Sequence, residues 1–209
     1  MTDGVFRPAR TLPNRLLENA KVLPTRDDIL PLLSPGRVFC EVGVALGDFS
    51  EKVLRQCAVS KFLAIDLYTL HDYPEMWSGL VGATLAGRRH AQFFADKFAP
   101  FVASGVMRIL EGNSTDMLAG LPDNSVDVFY VDAHHSYEAV KAELEIIRTK
   151  ASADALIILN DYIMHDYMTN TPYGVVAATN DFMIEYGWEM VYFALQPGMY
   201  CDVAIRRAK

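Results

Sequence analysis

The sequence has few cysteines, no long apolar run and no excess of basic residues. Its three cysteines, Cys40, Cys57 and Cys201, are far apart and form no CxxC motif or Cys/His cluster. This pattern favours free thiols in a reducing compartment and does not suggest a zinc site. No apolar stretch approaches the roughly 20 residues that span a bilayer, and the N-terminus lacks the apolar segment of a secretory signal. We therefore expect a cytoplasmic protein.

The net charge of the chain argues against some classes of binding partner. The 209 residues include 19 Lys and Arg against 26 Asp and Glu, a formal net charge of −7. Such an acidic chain lacks the positive surface with which proteins bind nucleic acid or anionic membranes, so we expect neither as a partner. The length predicts one domain, which a small cap could accompany.

After a proline-rich stretch, the pattern alternates between strands and helices. Residues 1–35 contain five prolines and two short helical segments, and we predict that they form a helical lead-in or cap on a single domain over 36–209. Strand–helix alternation predicts an α/β, Rossmann-like, mostly parallel seven-stranded sheet with helices on both faces and a C-terminal antiparallel hairpin. Ligands bind such sheets at the carboxyl ends of the strands. The predicted strands cover 38–42, 62–67, 106–110, 126–131, 155–159, 188–195 and 199–205, and the main helices 48–57, 88–103, 114–121, 136–150 and 173–186.

A glycine loop follows the first of these strands. Gly43 and Gly47 allow a tight turn in which a ligand approaches the backbone closely, and the next helix offers free N–H groups for an anionic group such as a carboxylate. The spacing is GxxxG, whereas nicotinamide enzymes have GxGxxG. Glu41, before the loop, suits a cationic amine. Asp66, at the end of the second strand, can hold both hydroxyls of a ribose.

An amine, a carboxylate and a ribose occur together in S-adenosylmethionine. With this acid-x-Gly-x-x-x-Gly loop, the sequence resembles the class I S-adenosylmethionine-dependent methyltransferases. The resemblance implies that Asn113 or Ser114, after the third strand, contacts the adenine, although either residue could simply cap the next helix. Leu67 and Asp132 complete the predicted cofactor site.

Three oxygen-bearing side chains follow two neighbouring strands. Asp132 follows one strand, and Asn160 and Asp161 follow the next, so we expect all three at one edge of the sheet. Two carboxylates and an amide oxygen suit Mg²⁺ or another hard divalent cation. Solvated loop acids are the alternative explanation.

The same segments resemble a narrower group, the metal-dependent O-methyltransferases of the macrocin and aminocoumarin-sugar type. Residues Asp132 and 135–138 match that group's first motif, and Asp161 with Tyr162 matches its second. The resemblance implies methyl transfer to a hydroxyl of a small molecule, such as a sugar or secondary metabolite. Two positions depart from the motif: Asn160 replaces an acid, and His134 replaces the candidate general base. We predict His134 as the base, or Asp132 in the absence of a metal.

The sequence is also compatible with other interpretations. A non-catalytic methyltransferase-like binding module would keep the glycine loop, and an NAD-dependent oxidoreductase is disfavoured by the GxxxG spacing. The segment 68–89, with Tyr68, Tyr73 and Trp77, could form a lid over the pocket. His90, in a polar context, is expected at the surface. A homo-oligomer is possible.

Overall fold

The computed structural model describes residues 7–76 and 79–208. Helices in these residues are α1 Asp48–Gln56, α2 Val81–Thr84, α3 His90–Lys97, α4 Ala99–Ala103, α5 Ser114–Ala119, α6 Tyr137–Lys150 and α7 Val175–Tyr186, with 3-10 turns at Asn14–Leu16, Arg26–Leu32, Leu70–Asp72 and Pro197–Met199. Strands in the same part of the chain are β1 Lys21–Leu23, β2 Val38–Val42, β3 Lys61–Asp66, β4 Glu75–Met76, β5 Gly79–Leu80, β6 Met107–Glu111, β7 Val126–Val131, β8 Ala151–Leu159, β9 His165–Asp166, β10 Thr171–Pro172, β11 Trp188–Ala194 and β12 Asp202–Arg207.

The main sheet has mixed orientation and the strand order β1-β11-β12-β8-β7-β2-β3-β6. Strands β8, β7, β2, β3 and β6 run parallel, whereas β12 is antiparallel to both β8 and β11. The α/β Rossmann-like architecture is confirmed. The predicted count of seven strands is wrong, because β1 pairs in parallel with β11 as an eighth strand. This strand has three residues that are largely exposed, so no buried alternation marks it in the sequence.

Alternate residues of β2 pack into different cores on the two faces of the sheet. Phe39 belongs to the cluster that contains Val53 of α1 and Phe94 of α3. Cys40 belongs to the opposite cluster, which contains Leu144 of α6. Since side chains alternate across a strand, successive apolar residues in a strand predict helices on both faces, and this prediction is confirmed.

Several predicted elements have different bounds. Strand β8, predicted from residue 155, begins at Ala151, and most other differences are of one or two residues. The helix predicted over 88–103 is divided at Phe98 into α3 and α4, and Pro100 lies in the first turn of α4, where its missing N–H removes no hydrogen bond. The last strand begins at Asp202, later than predicted, because Pro197–Met199 forms a 3-10 turn. Ser136 caps α6, as predicted, by accepting the Ala139 backbone N–H.

All three cysteines are free. None of the helices in the described part of the chain combines the length and the apolar character needed to cross a bilayer. The cytoplasmic location and the division of the chain at residue 35 stay predictions.

Candidate functional site

Packing explains both glycines of the loop between β2 and α1. Gly43 has φ +87°, and a Cβ there would lie 2.0 Å from the backbone oxygen of Asp132. Gly47 has φ +77°, and a Cβ there would lie 2.6 Å from the Phe98 ring and 2.9 Å from the Phe94 ring. Both the backbone conformation and the space therefore require glycine. The loop is held against β7 and against the α3–α4 pair.

Asp66, predicted to hold a ribose, also fixes the glycine loop. Its Oδ2 accepts the backbone N–H groups of Val44 at 2.9 Å and Ala45 at 3.2 Å. Its Oδ1 accepts the backbone N–H of Tyr68 at 2.7 Å. An ionised carboxylate has about four acceptor positions, so one remains for a ligand hydroxyl. One ribose hydroxyl, rather than both, fits this carboxylate as it stands.

Glu41 is a buried carboxyl group at the end of β2. It is 2% exposed, and the Ser50 hydroxyl donates to its Oε2 at 2.5 Å. Burial raises the pKa of Glu41 well above its ordinary value, and this effect outweighs the Ser50 hydrogen bond. A cationic ligand would favour the ionised form of Glu41.

A cavity of about 810 Å³ opens where β2, β3, β6 and β7 end. It brings together eight of the predicted site residues. Gly47 lies between the lining residues Leu46 and Asp48. Asn160 and Asp161 are not among the described residues that line the cavity. The predicted residues that line it are Glu41, Gly43, Asp66, Leu67, Asn113, Ser114, Asp132 and His134.

The end of the cavity near β6 is formed by the start of α5. Asn113 caps this helix, because its Oδ1 accepts the Thr115 backbone N–H at 3.0 Å. Ser114 lines the cavity beside it. Leu67, 55% exposed, contributes an apolar wall after β3. These residues provide polar and apolar groups where an adenine was predicted.

Asp132, His135 and Asp161 form a compact group behind the glycine loop. The Nε2 atom of His135 lies 3.5 Å from Asp132 Oδ1 and 3.7 Å from Asp161 Oδ2. Burial and the nearby Asp132 raise the pKa of Asp161 to about 6. Burial lowers the pKa of His135, but the two carboxylates outweigh it and the net shift is upward. Asp161 therefore holds its proton more strongly than an ordinary aspartate, and the protonated form of His135 is favoured.

Asn160 belongs to a second buried network. Its Nδ2 donates to the Tyr130 hydroxyl at 3.1 Å and faces Asp202 Oδ1 at 3.4 Å. The Tyr130 hydroxyl donates to Asp202 Oδ2 at 3.1 Å, and Arg26 donates to Tyr130. Burial raises the pKa of Asp202 to about 7, against the effect of Arg26. Through the Tyr130 hydroxyl, the Asn160 amide thus connects the carboxyl end of β8 to Arg26 of the N-terminal segment.

No group of three or more His, Cys, Asp and Glu side chains in residues 7–76 and 79–208 is arranged to hold a metal ion. The predicted ligands Asp132 and Asp161 do lie close together, with the His135 ring nitrogen near both. The predicted metal site is not confirmed.

His134, the predicted base, lines the cavity and is exposed. Its Nδ1 accepts the Ser136 backbone N–H at 3.2 Å. In the neutral ring the proton is then on Nε2, and the basic nitrogen is occupied by a backbone hydrogen bond. His134 would have to release Ser136 before it could accept a proton.

The predicted lid residues have different environments. Tyr68 is fully buried and its ring lies 5.0 Å from that of His90, so it anchors the segment to the core. Tyr73 is 59% exposed. Trp77 lies outside the described residues. Closure of this segment over the cavity stays a prediction.

Three residues near the site were not identified from the sequence. His90, expected at the surface, is fully buried, and its Nδ1 accepts the Leu70 backbone N–H at 3.4 Å. Glu143 lines the cavity from α6 at 1% exposure; neither of its oxygens has a hydrogen-bond partner among the described residues. Glu143 follows Val140 by three positions, so helical periodicity could have identified it. Arg26 lines the cavity from the lead-in, and no sequence signal indicated this position.

Comparisons with known proteins agree with this geometry. A family model described as a methyltransferase domain matches residues 40–162, more than half of the chain. An S-adenosylmethionine-dependent methyltransferase from Aquifex aeolicus has a similar structure, with TM-score 0.57, 15% identity and coverage of 91% of this chain and 90% of that one. No curated protein matches the chain.

Two further structures show how widely the fold occurs. The pyocyanin biosynthetic protein PhzM matches with TM-score 0.55 and 15% identity over 87% of this chain, which spans 54% of the length of PhzM. The [4+2]-cyclase SpnF matches with TM-score 0.56 and 13% identity, over 83% of this chain and 60% of that one. At these identities the similarity shows the fold alone.

Proposed function

The chain belongs to the methyltransferase-domain family and has the class I S-adenosylmethionine-dependent methyltransferase fold, and from this premise we propose that it transfers a methyl group from S-adenosylmethionine to a hydroxyl group of a small molecule. The observation that carries the proposal is the cavity of about 810 Å³, which extends from the glycine loop and Asp66 to Asp132 and His134. The glycine loop, the acids and His134 face one continuous space, and this supports the proposal.

The residues present fit the cofactor. Asp66 has one acceptor position for a ribose hydroxyl, Leu67 and Ser114 form the walls at the adenine end, and Glu41 lies where a cationic amine would offset its buried charge. When bound, S-adenosylmethionine supplies an electrophilic methyl group on a sulfonium centre. The protein has to align the acceptor oxygen with that methyl group and accept the hydroxyl proton.

Asp132 is the group that we propose as the proton acceptor. It lines the cavity, and its side chain is 34% exposed. His135 Nε2, 3.5 Å away, can share the proton afterwards. His134 is the second choice, because its Nδ1 already accepts the Ser136 N–H. This order reverses the sequence-based preference for His134.

The residues do not fit a magnesium ion with the oxygen shell that this cation prefers. A ring nitrogen of His135 lies near both predicted carboxylate ligands, and neither Asn160 nor Asp161 is among the described residues that line the cavity. No step of the proposed reaction therefore uses a metal. Metal assistance stays a prediction of the resemblance.

The acceptor is proposed from the family resemblance and the charge of the cavity. Glu41, Asp66 and Asp132 line the cavity, and these carboxylates favour a neutral, hydroxylated small molecule over a polyanion such as nucleic acid. A sugar or a secondary metabolite meets this description. A homo-oligomer stays a prediction.

The test begins with calorimetric titration of S-adenosylmethionine and S-adenosylhomocysteine. We expect micromolar binding that weakens about tenfold or more in Asp66→Asn and is unchanged in Asp72→Asn, because Asp72 is an exposed acid outside the cavity lining. Transfer of a labelled methyl group to a panel of hydroxylated small molecules follows. Absence of binding contradicts the cofactor assignment, and binding without transfer to any acceptor contradicts the enzyme assignment in favour of a binding module.

A further inference from the structure

The turn Arg26–Leu32 brings a positive charge from the N-terminal segment to the cavity. The turn begins after Thr25, whose backbone N–H donates to Asp28 Oδ2 at 2.9 Å. Asp27 pairs with Lys52 of α1 at 2.6 Å, which ties the turn to the helix after the glycine loop. Arg26, the first residue of the turn, is thereby held at the cavity wall.

The guanidinium group of Arg26 is only partly committed to the protein. Its Nη1 donates to the Tyr130 hydroxyl and lies 3.8 Å from Asp202 Oδ2, beyond hydrogen-bond distance. Hydrogen bonds from Nε or Nη2 to other described residues are absent. The Phe49 ring centroid lies 5.7 Å from Cζ, and the side chain is 32% exposed. An arginine has five N–H donors in a planar arrangement that matches a carboxylate, and most of them stay available here.

Of the two described lining residues with permanent positive charge, Arg26 is the one better placed to bind an anion. The described lining includes two residues with permanent positive charge, Arg26 and Lys52, and the Lys52 ammonium group is already paired with Asp27. The helix N-terminus after the glycine loop is an alternative anion site, but its first turn carries Asp48. Asp202, the buried acid closest to Arg26, has a pKa raised to about 7 by burial and therefore neutralises the arginine incompletely.

The position of Arg26 along the sheet indicates which anion it meets. Its contacts are on β7 and β12, whereas Asn113 and Ser114 follow β6 at the other end of the cavity. From β6 to β7 is three inter-strand steps of about 4.8 Å, roughly 14 Å in all. A ligand whose adenine lies at the β6 end and whose ribose meets Asp66 extends its remaining part towards Arg26.

We propose that Arg26 binds the α-carboxylate of the methionine part of the cofactor. The inference rests on the proposed function, because it assumes that S-adenosylmethionine occupies the cavity. It assigns to the N-terminal segment a direct part in cofactor binding, through a bidentate ion pair that the glycine loop alone does not supply.

The experiment compares two ligands on matched variants. S-Adenosylhomocysteine carries the carboxylate, and 5′-methylthioadenosine shares its adenine, ribose and sulfur but lacks the amino-acid part. In Arg26→Gln, which keeps a donor for Tyr130, we expect S-adenosylhomocysteine to bind 10- to 100-fold more weakly and methylthioadenosine to bind within about twofold of wild type. Arg26→Lys should lie between wild type and Arg26→Gln. The control is Arg55→Gln on α1, an exposed arginine outside the described cavity lining, in which both affinities should stay within about twofold.

The outcomes are distinguishable. An unchanged affinity of Arg26→Gln for S-adenosylhomocysteine overturns the inference and leaves the proposed function intact. Equal weakening of both ligands also overturns it, because Arg26 would then act through the structure of the cavity. If wild type binds neither ligand, the proposed function fails and the inference fails with it. Thermal unfolding of each variant verifies that the folded protein is titrated.

Discussion

The Nε2 atom of His90 lies 2.6 Å from the backbone carbonyl oxygen of Ala45, at the centre of the glycine loop. Since Nδ1 of the same ring accepts the Leu70 N–H, Nε2 carries the proton and donates it to Ala45. Ala45 has φ +45°, a conformation that alanine adopts at some cost. One buried histidine therefore holds the loop in a conformation that its sequence does not favour.

Replacing His90 should loosen this loop. In His90→Phe the Ala45 carbonyl loses its donor, and we expect the free energy of unfolding to fall by about 1–3 kcal/mol. The affinity for S-adenosylhomocysteine should fall as well, because Val44 and Ala45 line the cavity. Urea unfolding and calorimetry measure the two effects. His165→Ala, an exposed histidine, is the control; wild-type values in His90→Phe would show that the contact has no such role.

Gly43 should tolerate no side chain. In Gly43→Ala the new Cβ would lie 2.0 Å from the Asp132 backbone oxygen, so the loop and the end of β7 must separate. We expect a loss of about 3 kcal/mol or more, or failure to fold. Gly82→Ala is the matched control: it lies in α2 with nothing within 4 Å of its Cβ and should be neutral or stabilising by up to about 1 kcal/mol. Equal unfolding midpoints for the two variants would contradict this account.

Asp202 should make the protein less stable as pH rises. Its pKa is about 7 in the folded protein, whereas the ordinary value is 3.8. Between pH 3.8 and pH 7, Asp202 is therefore mostly protonated in the folded state and mostly ionised in the unfolded state. Stability rises with pH where the unfolded state binds more protons, and here the opposite holds. From pH 5 to pH 8 the contribution of Asp202 should fall by on the order of 1–3 kcal/mol. Unfolding experiments at both pH values should show a smaller difference in Asp202→Asn than in wild type; an equal difference would exclude Asp202 as its source.

Chelation should leave methyl transfer unchanged. Because the His135 ring nitrogen lies near the two carboxylates that the resemblance assigns to a metal, we expect full activity in excess EDTA and no heat of binding on Mg²⁺ titration. Activity that is lost in EDTA and restored by Mg²⁺ would support the metal-dependent mechanism instead. In that case Asp161→Asn should lose the response to Mg²⁺ while it retains S-adenosylhomocysteine binding.

Much of the fold follows from local sequence patterns. The strand at Val38–Val42 and that at Val126–Val131 have the predicted bounds, because each is a mostly apolar, mostly buried run with one acid, flanked by turn residues. Strand β1 could not be predicted in this way, since a short exposed strand is defined by its partner β11 rather than by its own pattern.

The part of the site that lies in or beside a local sequence motif was predicted correctly as part of one cavity. The glycine loop and Asp132 lie in the same cavity because the order of parallel strands brings their carboxyl ends together. Arg26 and His90 act on this site through contacts with residues distant in sequence, Tyr130 and Ala45. Side chains of that kind have no local signature; their roles follow from the tertiary structure.

The pairing of β1 with β11 has a consequence for the thermodynamics of the N-terminal segment. Lys21–Leu23 and Arg26 are separated by two residues, so the segment that adds a strand to the sheet edge also carries the arginine at the cavity. A ligand bound by Arg26 then stabilises the docked position of the segment on the sheet. The docked segment strengthens ligand binding by the same free energy. If Arg26 binds the cofactor carboxylate as proposed, docking of the N-terminal segment and occupancy of the cavity are reciprocally linked equilibria.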